Sequence, residues 1–284
     1  MGITKLADLI RSDAPGAVCH KDISDYTGKV IALDTSIVVN QFRAATPSLS
    51  PLTGLFFRTL TFLEHDIKPV FVFDGKPPRE KTAVLKKRAE AAGRHFPNIT
   101  GTASSLTKDC LQLLKLLGVP VIQATGDAEA MCAQLVMKGT VDAVASEDMD
   151  TLPFGASILI RQLNAKKDRP ILCLMPGSTT EARKIFLDTP QIVAPELTWA
   201  EPDEEALVGF LCHDNHVKED RVRRRMEKFR QMRESRREER EKDKAAGRSR
   251  QTRMEDFFRV TRKRAQSVED ADSLTSNRKR PKSK

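Results

Sequence analysis

Two short stretches, KVIALD (29–34) and KPVFVFDG (68–75), each join a continuous apolar run to an aspartate. Three further runs of similar length are VPVIQA (119–124), VDAVASED (141–148) and ASILIR (156–161). Apolar runs without polar alternation are typical of strands that are buried on both faces of a parallel sheet. These runs therefore predict the central strands of an α/β domain.

Helical patterns lie between these strands, over residues 2–11, about 51–65, about 79–92, about 105–117 and about 127–138. Regular alternation of strands and helices predicts a parallel sheet with helices on both faces. Further along, ILCLM (171–175) is consistent with one more strand and residues 203–212 with a short helix. The fold class predicted from these patterns is α/β.

The positive charge of the chain is concentrated at its C-terminal end. Residues 218–284 hold 25 Lys and Arg against 13 Asp and Glu, whereas residues 1–217 hold 23 against 26. A slightly acidic body with a strongly basic tail suits a polyanionic partner, although the tail could instead only improve solubility. We expect 218–244 to form at most a solvated helix with little to pack against, and the chain beyond 245 to be disordered.

Several classes of protein are disfavoured by simple patterns. The sequence contains no run of about 18 apolar residues, so no membrane span is predicted. The start MGITKLADLI lacks the layout of a signal peptide. Leu6 stands where an N-myristoylation signal needs Ser or Thr. The five cysteines have no zinc-finger spacing, so reduced intracellular thiols are expected.

Acidic residues recur where predicted strands end or where the following helix begins. Because parallel strands present their carboxyl ends at one edge of a sheet, where ligands bind, these acids can face one crevice. Crowded carboxylates need cations, and oxygen ligands favour Mg²⁺ or Mn²⁺. Two such ions can activate a water and stabilise the leaving oxygen of a phosphodiester. The alternative interpretation is that the acids are only helix caps and turn residues. The candidates are Asp34, Asp74, Asp127, Glu129, Asp148 and Asp150.

A basic pair follows the second acid. In GKPPREKTAVLKKRAEAAG (75–93), Lys81 and Arg88 are seven residues apart and share a face of a predicted helix. Cations beside the acids could neutralise a scissile phosphate. The alternative is an ordinary solvated helix face.

Five segments together resemble the nuclease blocks of flap endonucleases, which are members of the XPG-type 5′ nuclease family. They are MGITKLADLI (1–10), ALDTSIVVNQF (32–42), FVFDGKPP (71–78), GDAEAMCAQLV (126–136) and ASEDMDTLPFG (145–155). This resemblance implies a PIN-like parallel-sheet core, two Mg²⁺ ions per subunit, and cleavage of DNA with a 5′ flap in replication and repair. The basic stretches RKR (262–264) and NRKRPKSK (277–284) are typical of nuclear localisation signals or phosphate-binding patches, so we expect a nuclear location. The alternative is a terminus that is merely soluble.

The resemblance also implies roles for individual residues. Asp34, Asp74 and Glu129 fall on ligands of the first metal, where Asp127 matches a glutamate, and Asp148 and Asp150 fall on ligands of the second. Lys81 and Arg88 match the basic pair that contacts the reacting phosphate. The positions that match substrate-contacting residues are Gly2, Arg58, Lys81, Arg88 and Asp127.

The segment QTRMEDFFRV (251–260) resembles the family's motif for binding the replication sliding clamp, PCNA. One 3₁₀ or helical turn would place Met254, Phe257 and Phe258 on one side, facing a hydrophobic groove, with Gln251 at the rim. The alternative is a chance aromatic pair in a charged tail.

Several positions depart from the family pattern. Asn40 stands where a stacking Tyr is usual, and the stretches 43–52 and 93–107 are shorter than the family's wedge and helical arch. Between Arg161 and Pro195, a seventh acidic ligand and a duplex-gripping helix–hairpin–helix are not found. These departures keep two alternatives open: a non-catalytic protein that binds the clamp and DNA, and a PIN-type RNase.

The predicted organisation follows from these matches. It comprises an N-terminal nuclease block (1–105), an internal nuclease block (106–165), a divergent C-terminal part of the core (166–217) and a basic tail (218–284) that carries the clamp motif 251–258.

Overall fold

A computed structural model describes residues 6–45, 50–75, 105–163, 171–174 and 195–245, together with the single positions 87, 90 and 91. Its centre is a seven-stranded sheet in the order β1-β7-β6-β5-β2-β3-β4. The strands are β1 (Val18–Lys21), β2 (Val30–Asp34), β3 (Lys68–Phe73), β4 (Val121–Gln123), β5 (Ala143–Ala145), β6 (Leu159–Arg161) and β7 (Ile171–Leu174).

The five strands that the apolar runs predicted form the parallel part of this sheet. β2 is central and pairs in parallel with β3 and β5, which in turn pair with β4 and β6. β7 is the additional strand expected from ILCLM, and it runs antiparallel to both β6 and β1. The predicted α/β class is confirmed, with an antiparallel pair added at one edge.

Helices cover both faces of the sheet. They are α1 (Leu6–Asp13), α2 (Thr35–Ala45), α3 (Pro51–Glu64), α4 (Ser105–Leu116), α5 (Ala128–Met137), α6 (Glu204–Val208) and α7 (Glu219–Ala245). A π-helix, Gly209–Asp214, continues α6. The helix expected over 79–92 lies almost wholly outside the described residues. In the described ranges, no helix combines the length and apolar character that a membrane crossing needs.

Alternate residues of β2 belong to two separate hydrophobic clusters, one on each face of the sheet. Ile31 and Leu33 point into a cluster formed with α2, α3, α4 and α7, whereas Ala32 points into one formed with α5. All three side chains are at most 2 % exposed. A strand that is buried on both faces needs apolar residues at every position, which is why KVIALD shows no alternation until the aspartate that ends it.

The N-terminal half of α7 packs on the core. Val222, Met226 and Phe229 are buried at helical spacing, and Arg225 forms a buried ion pair with Glu64 of α3. The expectation that 218–244 has little to pack against is therefore wrong for this half. The compact unit of the chain extends to Ser235.

The second unit begins at Arg236 and contains the last part of α7. Its described residues are exposed except for the half-buried Arg236. Ion pairs one helical turn apart join Arg237 with Glu241 and Glu238 with Lys242. Such pairs support an exposed helix only weakly.

Candidate functional site

Three aspartates lie at the carboxyl edge of adjacent parallel strands. Asp34 is the last residue of β2, Asp74 directly follows β3, and Asp148 is three residues beyond β5. Because β2 lies between β3 and β5 in the sheet, these three chain ends are neighbours. Parallel order therefore brings together acids that are separated by 40 or more residues in sequence.

Each of these aspartates also accepts a hydrogen bond at the start of a helix. The Oδ1 atom of Asp34 accepts from the backbone N–H of Ile37 at 3.2 Å, and Oδ1 of Asp148 accepts from that of Asp150 at 3.2 Å. The Oδ1 atom of Asp74 accepts from Ala128 N–H, the first residue of α5, at 2.9 Å. The capping interpretation therefore holds beside the ligand hypothesis, since a helix N-terminus stabilises a carboxylate that can also face an ion.

Gly75 allows Asp74 to approach α5. Its N–H donates to the carbonyl of Gly126 at 2.7 Å. A Cβ at this position would lie 2.1 Å from the carbonyl oxygen of Ala124 and 2.6 Å from Thr125, which is far inside van der Waals contact. The close approach therefore requires a glycine, and it keeps Asp74 against the N-terminus of the helix that carries Glu129.

Ser36 is a site residue that sequence reasoning missed. Its hydroxyl donates to Oδ2 of Asp74 at 2.6 Å and so links the first turn of α2 to the end of β3. Its position two residues after Asp34, in ALDTS, is the only signal in the sequence. Together with Ala128, it holds both carboxylate oxygens of Asp74.

The acids of α5 belong to the same crevice. Asp127 is the N-cap residue of α5 and Glu129 lies in its first turn, and both are half-buried. Beneath them, the pKa of the buried Cys132 thiol lies well above its ordinary value, mainly because burial disfavours the thiolate and also because Asp34, Glu129 and Asp74 are close. Asp34, Asp74 and Glu129 therefore all lie near one thiol.

Asp34 is the most strongly perturbed acid of the group. It is only 3 % exposed, and its pKa is raised to about 7, first by burial, then by Asp74 and to a smaller extent by Asp148. Backbone hydrogen bonds from Ile37 and Ser36 oppose this rise. A cation at the carboxyl edge would relieve the cost of ionising this side chain.

The donor set fits a hard divalent cation, because every candidate ligand is a carboxylate oxygen. Within the described part of the chain, however, no three acidic, His or Cys side chains are close enough to hold one ion between them. Ligation therefore requires side-chain rotations, for Asp74 away from Ser36 and Ala128.

Glu147, the remaining carboxylate of SEDMD, is bound to the end of the neighbouring strand β6. It lies 3.7 Å from the guanidinium of Arg161 and accepts a hydrogen bond from the backbone of Gln162 at 2.8 Å. Its partners belong to the end of β6 and the residue after it. Glu147 is therefore a structural acid, whereas Asp150, two residues after Asp148, is half-buried at the candidate site.

Arg58 is half-buried behind this edge of the sheet. It donates to Gln41 Oε1 at 3.0 Å and lies 5.4 Å from the ring centroid of Phe42. Burial lowers the pKa of its guanidinium, and Glu147 opposes this shift. Asn40 is exposed on α2. The remaining predicted site residues, Gly2, Lys81, Arg88, Gln251, Met254, Phe257 and Phe258, lie outside the described residues.

Two family models match the chain. The XPG N-terminal domain matches residues 1–94, and the XPG I-region matches residues 118–196. Together they include all six candidate carboxylates.

Relatives match over nearly the whole chain. A probable flap endonuclease 1 homolog of Danio rerio is 48% identical over 93% of this chain and 95% of its own length. Flap endonuclease 1 of Xiphophorus maculatus is 32% identical over 100% of this chain and 95% of its own length.

Solved structures share the fold. Human GEN1 in complex with Holliday junction DNA superposes with a TM-score of 0.65 at 21% identity, covering 80% of this chain and 77% of that one. Flap endonuclease-1 from Methanococcus jannaschii superposes with a TM-score of 0.58 at 23% identity, covering 76% and 96%.

The mostly parallel sheet with carboxylates along its carboxyl edge is a PIN-like core, the fold that these solved structures share. The resemblance noted in the sequence is confirmed by the family models and by the relatives. The chain belongs to the flap endonuclease family of XPG-type 5′ nucleases. Members of this family are structure-specific, metal-dependent nucleases that act on DNA.

Proposed function

We propose that this chain hydrolyses phosphodiester bonds in DNA that carries a 5′ flap, at the crevice lined by Asp34, Asp74 and Asp148. The observation that supports this most directly is the buried Asp34, whose pKa is raised to about 7 beside two further carboxylates. An acid in this state gains the most from a bound cation. The proposed cofactor is Mg²⁺, with two ions per subunit.

The six carboxylates divide between two ion positions in this proposal. Asp34, Asp74, Asp127 and Glu129 would hold the first ion, and Asp148 and Asp150 the second. When bound, such ions lower the pKa of a water and stabilise the leaving oxygen of an in-line displacement. Water can complete the coordination of Mg²⁺, so the seventh family carboxylate is not required for binding.

The other residues position the substrate. Lys81 and Arg88 would neutralise the scissile phosphate, so that an anionic substrate can approach a cluster of acids. Gly2, Arg58 and Asp127 would lie against the DNA. Asp74 would exchange its hydrogen bonds from Ser36 and Ala128 for the ion when the ion binds.

A cleavage assay on 5′-flap DNA with Mg²⁺ tests the proposal. We expect Asp148→Ala to lower the rate by about 10²-fold or more, since a charge that acts on the reaction centre is lost. The matched control is Asp142→Ala, at the opposite end of β5, where the carboxylate binds Lys29 and the backbone of Val30. A parent chain that cuts neither flap, nicked nor single-stranded DNA with Mg²⁺ or Mn²⁺ would favour the non-catalytic alternative. Cleavage of RNA in preference to DNA would favour the PIN-type RNase.

We also propose that residues 251–258 bind the sliding clamp PCNA and that the chain acts in the nucleus. Three apolar anchors in a charged segment suit a hydrophobic groove, and each could contribute roughly 1.5–3 kcal/mol less the cost of ordering. Calorimetry of the full chain with the clamp should show binding that Phe257→Ala/Phe258→Ala abolishes. Equal affinity of the parent and the double variant would disprove this partner. Deleting 262–284 should shift a large tagged chain toward the cytoplasm.

A further inference from the structure

Residues 146–151 follow β5 directly and form a turn that carries two of the candidate carboxylates. The first residue of this turn, Ser146, continues the strand pairing, because its N–H donates to the carbonyl of Ile160 at 3.1 Å. Further along, Met149 and Leu152 are buried in the hydrophobic cluster formed with α5. The turn is therefore fixed to the sheet by its backbone at one end and by apolar side chains at the other.

Two hydroxyl groups hold the backbone of Asp148 within this turn. The N–H of Asp148 donates to Ser146 Oγ at 3.0 Å, and Thr151 Oγ1 donates to the carbonyl of Asp148 at 3.4 Å. All three residues are buried, with exposed fractions of 7% or less. A hydroxyl that accepts from the N–H two residues further along stabilises a turn in place of regular strand bonding. Ser146 thus determines where the chain leaves the sheet, and with it the backbone position of Asp148.

The carboxylate of Asp148 has one oxygen bound and the other open to a cation. Its Oδ1 accepts from the N–H of Asp150 at 3.2 Å, whereas no hydrogen bond from a described residue reaches Oδ2. Both oxygens of Asp74, by contrast, accept hydrogen bonds. Asp148 can therefore give one oxygen to an ion without first losing a hydrogen bond.

We propose that Ser146 is a positioning residue for the second ion and that its hydroxyl acts through the backbone of Asp148. This role rests on the proposed function, in which Asp148 and Asp150 hold that ion. The bond from Asp148 to Ser146 fixes the backbone, and the bond from Asp150 then restricts rotation of the carboxylate, so that Oδ2 keeps one direction. Loss of a hydrogen bond that orients a metal ligand typically lowers metal affinity by about 10–100-fold.

A purely structural role of the hydroxyl is the alternative, since a buried N–H without an acceptor destabilises a fold wherever it occurs. Thr59 provides the matched comparison, because it is fully buried and its Oγ1 donates to the carbonyl of Leu55 at 2.8 Å within α3. Thr59→Val removes this hydrogen bond with little change in side-chain size. It therefore removes a buried hydroxyl without touching a candidate ligand.

Titration of the full chain with Mn²⁺ separates the two roles. The electron paramagnetic resonance signal of free Mn²⁺ counts the bound ions and gives their dissociation constants. We expect two ions on the parent and about tenfold weaker binding of one of them in Ser146→Ala. Ser146→Thr should bind both ions like the parent, because it keeps the hydroxyl and a cavity of about 20 Å³ beside Ser146 offers space to the added methyl group. Thr59→Val should also bind like the parent, even where its melting temperature is lower.

A double variant identifies the residue through which Ser146 acts. Asp148→Ala should lose the ion that Ser146→Ala binds more weakly, and Ser146→Ala/Asp148→Ala should bind the remaining ion as Asp148→Ala does. Equal Mn²⁺ affinities of the parent and Ser146→Ala would overturn the positioning role and leave the proposed function intact. Equal weakening in Thr59→Val or in Ser146→Thr would also overturn it. A parent that binds no Mn²⁺ would refute the proposed metal site, and this role with it.

Discussion

At Asp34, one carboxylate caps α2 through Ile37 and also faces Asp74 and Asp148. Its burial is a consequence of its place at the end of a strand that is covered on both faces. Such an acid costs the metal-free chain stability at neutral pH, because burial and like charges disfavour its ionised form. The fold thus holds Asp34 at the candidate cation site although its ionised form lowers the stability of the metal-free chain.

This cost predicts a pH dependence of stability in the absence of divalent ions. The folded chain raises the pKa of Asp34 from 3.8 to about 7. Because the folded chain binds this proton more tightly than the unfolded chain, Asp34 contributes its full stabilisation below about pH 4. This contribution is lost as the pH rises to about 7. Over this interval the free energy of unfolding of the parent should fall by up to about 4 kcal/mol, and that of Asp34→Asn should not show this fall. Urea unfolding with a chelator at pH 5 and pH 8 measures the difference.

The control for this experiment is Asp142→Asn, whose carboxylate lies at the opposite end of β5. It should show the same pH dependence as the parent. If Asp34→Asn and the parent lose stability equally between pH 5 and pH 8, the raised pKa of Asp34 is refuted.

Gly75 leads to a second prediction for a single residue. In Gly75→Ala, the added Cβ meets the carbonyl of Ala124, which is backbone and cannot rotate away. We expect a loss of about 1–3 kcal/mol in the free energy of unfolding, with lower cleavage activity because Asp74 is displaced. Gly126→Ala, where an added Cβ meets nothing within 4 Å, should unfold close to the parent. Equal melting of the two variants would argue against the close approach.

At the scale of elements, the ion pair between Arg225 and Glu64 holds α7 against α3. The Nη2 atom of Arg225 donates to Glu64 Oε2 at 2.9 Å and to Thr61 Oγ1 at 3.0 Å. Both charged side chains are nearly buried, at 9% and 7% exposure. A buried ion pair adds little net stability, but removal of one partner strongly destabilises the fold because the other charge stays buried.

Arg225→Met should therefore destabilise the chain by about 3–5 kcal/mol, because it leaves Glu64 buried without a partner. Glu64→Leu/Arg225→Met should recover most of the loss, since no buried charge then remains. A double-mutant cycle from urea unfolding measures the coupling. Arg237→Met, which breaks only the exposed pair with Glu241, is the control within the same helix. A single variant at Arg225 that is no less stable than this control would show that the pair is not buried in solution.

For the whole molecule, the charge is divided between a slightly acidic body and a basic C-terminal region. The balance is −3 for residues 1–217 and +12 for residues 218–284. Part of that region, up to Ser235, belongs to the compact unit, and several of its arginines are already paired with acids of the chain. Cations beyond this unit are therefore the better candidates for general attraction to DNA.

Ending the chain after Ala245 should weaken binding to duplex DNA and make its salt dependence shallower, because fewer counterions are released. The melting temperature should not change, since the compact unit is complete. Fluorescence anisotropy over a salt series measures the slope. A full-length chain with Gln at the Lys and Arg positions of 277–284 should give an intermediate slope. An unchanged slope in the truncated chain would mean that the tail does not contact the DNA.

The sequence by itself determined the strands and the placement of the acids at their ends. A strand buried on both faces must be apolar throughout, and parallel order brings every strand's carboxyl end to one edge, so KVIALD and KPVFVFDG predict both sheet and site. The apolar runs are a local signal, and the common position of the acids follows from the parallel order of the strands. Lys81, Arg88 and the motif at 251–258 remain predictions of the sequence.

The tertiary structure decided the contacts between residues that are distant along the chain. Arg225 finds Glu64 across 161 positions, Ser36 bonds to Asp74, and Gly75 meets the backbone of Ala124. None of these pairs has a local signature, because each depends on how whole elements are packed. For the same reason, the sequence predicted that the highly charged segment 218–244 is solvated, whereas Arg225 within it is buried in the fold.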